Sequence, residues 1–413
     1  MQKAPLPLIF CIAFLNPESS ERQLYMTKIT TAIIGIGGYA QISLDNIFEA
    51  MDNGRDDFEI TAFVDPYPDL SKHYERLKAM NVPYFADIKD MYASGIKPQL
   101  CLVSTPIQFH KAQILECLKE GSSVVCEKPM TGNAEDIEVL AKAEKESGGF
   151  VAIGYQWSYS DAIQALKKDI MSGVYGKALN MKTLVMWPRD KAYFKRSTGW
   201  AGKIYASNGE KILDSVANNA TAHYIHNILY VLGDGVDASM KAKDVDAVLI
   251  RVNDIETFDT CIASFKLECG ADGLYIVSHS TKNTVNPQFE YTFENGVVTF
   301  SEEQGVIIGK TNDGKEINYG DPFKAPTKKF FDCIDCIKEG RKDVLCGIKG
   351  ATAQVEFIAK LHSENKIFDV KDCCARETAD ARFYIEGLDE LLIGCYEGGR
   401  ILSEEEIGKL CQE

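Results

Sequence analysis

Apolar residues run unbroken in short blocks through the first third of the chain, and amphipathic segments alternate with those blocks. Blocks at Thr30–Ile34, Glu59–Val64, Leu100–Val103, Ser123–Cys126 and Phe150–Ile153 predict strands buried on both faces. The segments between them, Tyr39–Met51, Pro68–Met80, Asp87–Ser94, His110–Glu120 and Asn133–Ser147, carry apolar residues at helical spacing. Strict β–α alternation of this kind implies a parallel sheet with helices on both faces. Beyond about residue 153 the pattern changes. A helix is expected at Asp161–Ser172, and long strands at Ala178–Trp187, Asp244–Val252, Thr260–Leu267 and Gly273–His279. Two hairpins follow, Glu290–Phe300 turning at Asn295-Gly296 and Val306–Tyr319 turning at Asp313-Gly314. A helix at Ala220–Leu232 interrupts the strands, and helices return at Pro326–Gly340 and Gly347–Glu364. The tail, Asp369–Glu413, is polar, with a helical candidate at Ala381–Leu391. The expected fold class is α/β: an N-terminal Rossmann domain over 28–153, then an α+β domain over 154–413 with a large, mostly antiparallel open sheet. At 413 residues, two domains are also the expectation from length.

The first turn carries the most chemistry. Strand Thr30–Ile34 runs into Gly35-x-Gly37-Gly38-Tyr39-Ala40, a Gly-x-Gly-x-x-Ala fingerprint in its proper context of strand before and helix after. Gly35 permits the tight turn, Gly37 lets backbone approach a pyrophosphate, and Ala40 lets the helix pack closely with its N-terminus at the phosphates. The second strand ends at Asp65, whose carboxylate suits both ribose hydroxyls of an adenosine and would repel a 2′-phosphate. These residues predict an NAD site, with NADP disfavoured.

Composition narrows the partners. A net charge of −15 argues against nucleic acid, because a phosphate backbone needs a basic face. No stretch has the length of a membrane span. The thirteen cysteines are odd in number and sit mostly in apolar runs, which fits buried thiols in a reducing compartment. Cys333-x-x-Cys336 has no second pair at zinc-site spacing, and no metal is expected. Residues 1–27 read as an extension. Leu6–Leu15 is apolar but short, carries two flanking prolines' worth of interruption at Pro5 and Pro7, and lacks a small-x-small cleavage site. Translation starting at Met26, and hence a cytoplasmic protein, is the expectation; a true signal over 1–25 would place it in the periplasm.

Two loops at the carboxyl ends of the first-domain strands stand out, since ligands of open α/β sheets bind at that edge. Thr105-Pro106 follows the fourth strand, with His110 four residues on, and Glu127-Lys128-Pro129 follows the fifth. A lysine held there can donate to a substrate oxygen, although a surface lysine paired with Glu127 is the plainer alternative. In the second domain, Asp214, Asn219, His223 and His226 cluster at the start of the interrupting helix. His223 is the natural group to take an alcohol proton, with Asn219 one turn before it to orient the ring. Core packing is the alternative for both histidines, and a metal has no third ligand at a supporting spacing.

In this order, Gly35-x-Gly37-x-x-Ala40, Thr105-Pro106-x-x-x-His110, Glu127-Lys128-Pro129 and His223 ten residues before Gly233, the chain resembles the glucose–fructose oxidoreductase/inositol dehydrogenase (Gfo/Idh/MocA) family over about residues 28–365. The resemblance implies catalytic roles for Lys128 and His223. It implies a nucleotide site built from Gly35, Gly37, Gly38, Tyr39, Ala40, Asp65, Thr105, Pro106, His110, Glu127 and Lys128. It also implies a homodimer or homotetramer formed through the exposed sheet face. The family's usual acids before and after the histidine are here Asn219 and His226, and Asp214 is the candidate source of the missing negative charge. The segment Tyr193–Lys203 resembles the family's substrate loop. Its Arg196, Trp200 and Lys203, with Asp214 and His226, would line a site for a sugar-like molecule, the donors for hydroxyls and the indole for C–H faces. The expected function is NAD-dependent hydride transfer from a secondary alcohol of a sugar, glycoside or cyclitol. A non-catalytic NAD- or sugar-sensing protein of the same fold is the alternative, disfavoured because a sensor needs neither Lys128 nor His223.

Overall fold

The computed structural model describes residues 28–195 and 199–410. The expected start at Met26, the leader over 1–25 and Arg196 all lie outside the described residues. Six strands form a parallel sheet: β1 (Ile29–Ile34), β2 (Phe58–Val64), β3 (Tyr84–Phe85), β4 (Leu100–Val103), β5 (Ser123–Cys126) and β6 (Val151–Ile153). Their order is β3-β2-β1-β4-β5-β6. The order reverses between β1 and β4, which opens a crevice at the carboxyl ends of those two strands, where the glycine turn lies. The central strands are buried on both faces, as their continuous apolar sequences require.

The second sheet has nine strands: β7 (Ala178–Met186), β8 (Ala242–Arg251), β9 (Thr260–Leu267), β10 (Asp272–Ser278), β11 (Val285–Phe293), β12 (Gly296–Phe300), β13 (Ile307–Thr311), β14 (Glu316–Gly320) and β15 (Ile367–Asp369). Their order is β14-β13-β12-β11-β7-β10-β9-β8-β15. Pairing is antiparallel except between β7 and β10 and between β8 and β15. Alternation along the strands sends one set of side chains, including Met181, Val185, Tyr275, Phe289 and Tyr291, into the main core with helices Ala222–Val231 and Ile348–Glu364.

The opposite face of this open sheet is covered, where the resemblance implies an exposed one. Leu184, Met186, Val248, Ile250, Ile262, Leu274 and Ile276 lie under the tail, against Val370, Ile385, Leu388, Leu392, Cys395, Leu402, Ile407 and Leu410. The tail forms a hairpin, β16 (Ala375–Glu377) with β17 (Phe383–Ile385), then helices Leu388–Gly398 and Glu404–Leu410. The expected helix at Ala381–Leu391 is therefore half strand. Gly387, at φ 77°, is the left-handed residue at which the chain turns from strand to helix. The segment expected as one helix over Pro68–Met80 is also broken, into a 3-10 turn at Pro68–Leu70 and a helix at Tyr74–Ala79. Ser71 is extended at the break, where its hydroxyl donates to the Ile36 carbonyl at 2.7 Å. A side chain tied to the glycine turn has won over local helix propensity.

Candidate active site

The nucleotide turn is shaped for close approach. Gly35 has φ 84°, and a Cβ there would lie 2.7 Å from the Ser104 carbonyl oxygen. Nothing lies within 4 Å of a Cβ built on Gly37 or Gly38. The helix that follows, Ala40–Asp52, has no side-chain cap and no acidic residue in its first turn. The first N–H groups of the helix, at Ala40, Gln41 and Ile42, donate to the Gly37, Gly38 and Tyr39 carbonyls, so it is the helix dipole and the open space beside the two glycines that fit the pyrophosphate of a dinucleotide. Asp65 stands beside the turn. One carboxylate oxygen accepts the Ile36 N–H at 2.9 Å and the other the Tyr67 N–H at 2.8 Å, which leaves lone pairs on both for ribose hydroxyls.

The loops after β4 and β5 are held by buried polar contacts. The Thr105 hydroxyl donates to Gln113 at 2.6 Å. His110 is 1% exposed, with its ring nitrogens 2.8 Å from the Pro129 and Thr105 carbonyl oxygens. It ties the two loops together and presents no ring edge to a cofactor, contrary to its expected role. Glu127 is likewise turned inward, into a buried ion pair with Lys329. Lys329 lies 5.4 Å from the centroid of the Tyr39 ring and on the helix Lys328–Lys338. The Tyr39 hydroxyl donates to Gln156 at 2.8 Å. Lys329 thus joins the glycine turn, the Glu127-Lys128-Pro129 loop and the second half of the chain.

Lys128 follows Glu127, and its ammonium donates to the Asn219 backbone carbonyl. The Asn219 carboxamide donates to Asp214 at 2.8 Å, and the other Asp214 oxygen accepts the Gly202 N–H at 2.6 Å. Asn219 therefore orients Asp214 and the substrate loop rather than the imidazole, as its position one turn before His223 had suggested. Lys128 and Asp214 thus both meet Asn219, the lysine at its backbone carbonyl and the carboxylate at its carboxamide. His223, near the start of helix Ala222–Val231, has Nδ1 buried without a partner. The buried Tyr155 hydroxyl also lacks one, and the two rings meet edge-on at 5.8 Å. Burial, then the charges of Lys128 and Lys329, push the His223 pKa well below the ordinary imidazole value. The imidazole is neutral at physiological pH and stands within the field of the Lys128 ammonium.

His226 is not at the site. It is 1% exposed, stacked on Tyr155 at 3.7 Å and on Tyr230 at 5.3 Å, with Nε2 2.9 Å from the Ser158 hydroxyl. At helical spacing i, i+3 the two histidines diverge enough for one to face the cleft and the other the core. Trp200 packs on Ile107, Ala206 and Ile212, so the substrate loop seats on the start of helix Ile107–Lys119. Lys203 pairs with Glu256 at 2.9 Å. Sequence inspection missed Lys329, Tyr155 and Arg189. Lys329 had a signal, since it falls on the apolar stripe of its helix with Phe330, Cys333 and Ile334. Among the described residues no group of three or more His, Cys, Asp and Glu side chains could hold a metal ion. No helix among them is long and apolar enough to cross a membrane.

Comparison with known proteins matches this geometry. The family described as "Oxidoreductase family, NAD-binding Rossmann fold" (GFO_IDH_MocA) matches residues 29–155. An inositol 2-dehydrogenase of Leifsonia xyli subsp. xyli is 27% identical over 159 residues, 38% of this chain and 45% of that protein. A trans-1,2-dihydrobenzene-1,2-diol dehydrogenase of Bos taurus is 28% identical over 134 residues, 32% of this chain and 39% of that protein. These matches span less than half the length of either relative. Over the whole fold, the WlbA dehydrogenase of Bordetella pertussis, solved with NADH and UDP-GlcNAcA, superposes with a TM-score of 0.64 at 22% identity, covering 81% of this chain and 95% of that one. A levoglucosan dehydrogenase solved with NADH and levoglucosan gives 0.65 at 16% identity, covering 82% and 97%. The family match takes in the first sheet, with the nucleotide turn and the Glu127-Lys128-Pro129 loop inside it, and over that stretch the chain is similar to the Gfo/Idh/MocA oxidoreductases.

Proposed function

We propose that the protein is an NAD-dependent dehydrogenase that oxidises a secondary alcohol of a sugar, glycoside or cyclitol. The observation that carries this is a half-buried His223, its proton disfavoured, within the field of the Lys128 ammonium and on the same molecule as an open glycine turn. The bound nicotinamide supplies the acceptor for hydride from the alcohol carbon. His223 takes the hydroxyl proton as the C–O bond gains double-bond character. The Lys128 ammonium, which donates to the Asn219 carbonyl, is the group that donates to the substrate oxygen. Those donors stabilise the charge that develops there. Asp214, held by Asn219 and Gly202, keeps a compensating negative charge beside the residue to which the lysine donates. Among similar solved proteins, one holds NADH with a sugar nucleotide, one NADH with an anhydrosugar and one NAD+ with L-tartaric acid, which supports a polyhydroxylated small-molecule substrate.

For the cofactor, Asp65 favours NAD. A carboxylate already at the ribose position would face a 2′-phosphate at short range, and we expect NAD to bind at least about tenfold more tightly than NADP. The test of the whole proposal is a screen of sugars, glycosides and inositols with each nucleotide, read as reduced-nicotinamide absorbance. Turnover with NAD on a member of this panel, weaker with NADP, is the expected result. Nucleotide binding with no turnover on any polyol would favour the sensor alternative instead.

A further inference from the structure

One cation beside the rings that lead to His223 pairs with no carboxylate among the described residues. Arg189 follows β7, and its N–H donates to the His279 carbonyl at 3.1 Å. Its guanidinium lies 5.0 Å from the Tyr193 ring centroid and 5.7 Å from that of Trp187. The Arg189 Nε is buried and makes no hydrogen bond. Arg55, Arg76, Arg251, Arg341, Arg382 and Arg400 each pair with a carboxylate, whereas Arg189 pairs with none among the described residues. That is unusual in a chain of net charge −15.

The nearby acids are already engaged. Asp190 accepts the Tyr193 N–H at 2.8 Å, Glu377 pairs with Lys191 at 2.7 Å, Asp380 with Arg382 at 2.8 Å, and Glu302 accepts from Asn286 at 2.7 Å. The tail hairpin fixes the loop, because Lys191 N–H donates to the Ala381 carbonyl at 3.0 Å and Asp190 bridges to Arg382. Trp187 is itself held by Asn286, to which its indole N–H donates at 2.9 Å. Arg189 is therefore pre-set rather than free to fold back on an acid.

The position links to the catalytic pair through rings. Trp187 meets Tyr224 at 5.7 Å, and Tyr224 meets His223 at 6.5 Å. A guanidinium two rings from the proposed base, with an unmet N–H and aromatic faces fixing its plane, is built to receive a planar or tetrahedral oxyanion through parallel N–H donors. A buried donor left unmet is destabilising, and a ligand that meets it removes that penalty.

We infer that Arg189 binds an oxyanion carried by the substrate, so that the substrate class is an acidic sugar, a sugar acid or a sugar phosphate, rather than a neutral polyol. This rests on the dehydrogenase proposal for where the substrate lies. The test is calorimetric binding to the full chain saturated with NADH, with a panel of hexuronates and hexose phosphates set against their parent hexoses. The wild type should bind acidic members at least about tenfold more tightly than neutral parents. Arg189→Gln should erase that preference, by about 10- to 100-fold on the acids, and leave the parent hexoses and NADH unchanged. Arg189→Lys should retain part of it, and serves if the glutamine variant does not fold. Preference for hexuronates alone assigns a carboxylate, and for hexose phosphates alone a phosphate. Equal binding of acids and parents, binding of neither, or an acid preference that survives Arg189→Gln would overturn the inference. Acid binding that depends on Arg189 with no NAD reduction on the same panel would instead leave this site standing and remove the dehydrogenase proposal.

Discussion

His223 occupies a place where every influence disfavours its proton: burial first, then the charges of Lys128 and Lys329. A base whose pKa is lowered stays neutral as the pH falls. Alcohol oxidation should therefore hold its rate down through pH 6.5, where an ordinary histidine base would already be half protonated. A pH profile of kcat/KM that breaks near 6.5 on the acid side would count against His223 as that base. One contributor to this environment is Lys329, a residue 1% exposed yet paired with Glu127. Removing one member of a buried pair strands the other charge, at a cost of about 3–5 kcal/mol. Lys329→Met should lower stability by that order in denaturant unfolding, and Glu127→Gln with Lys329→Met together should lose less than Lys329→Met alone. If the double variant is no more stable than the single, the pair is not what makes the lysine matter. Neither partner's role was legible in sequence, because 202 residues separate them. His226 was misplaced for the same kind of reason. Its fate is decided by Tyr155, Tyr230 and Ser158, which reach it from other elements.

Elements whose form depends on their own residues were legible. The glycine turn, the four central strands of the first sheet and the two hairpins at Asn295-Gly296 and Asp313-Gly314 follow from local backbone demands and buried runs. Gly35 shows how tight such a demand is. Gly35→Ala would impose a strained φ and a contact of 2.7 Å with Ser104 backbone. It should weaken NAD binding at least about tenfold, as read by nucleotide titration, because the turn must move to relieve the clash. Unaltered affinity in a folded variant would mean that the nucleotide does not use this turn. Elements governed by distant contacts were less legible. The break at Ser71 depends on the Ile36 carbonyl, and the tail hairpin depends on Asp190, Lys191 and Ser280 to dock.

At the scale of the molecule, the tail changes what the large sheet offers. The apolar part of its outer face lies beneath residues 370–410, and Asp389 fastens the first tail helix by accepting the Lys282 and Asn283 N–H groups at 2.9 and 2.8 Å. What remains of the face carries Asp246, Ser264, Lys266 and Asp272. Each buried Leu or Ile under the tail contributes about 2 kcal/mol, so baring them together is a cost comparable with a domain's net stability. A chain ending at Asp369 should therefore self-associate or aggregate in sedimentation velocity, while the full chain forms no sheet-to-sheet dimer through that patch. A full-length dimer that dissociates when the tail is removed would show the reverse, that the tail builds the interface. The tail hairpin also grips the loop that carries Arg189, so the same segment covers the sheet and fixes that loop.

The most direct measurement is pre-steady-state hydride transfer to NAD from the best-oxidised member of the substrate panel, in Lys128→Ala and His223→Ala, with NAD affinity measured alongside. Loss of a positioned donor or base typically costs about 10²-fold or more. Each variant should show a loss of that order in the transfer rate and nearly unchanged NAD affinity, since neither residue lies at the adenosine end. Transfer at the wild-type rate in both variants would contradict the assignment of this pair as the chemistry of the site.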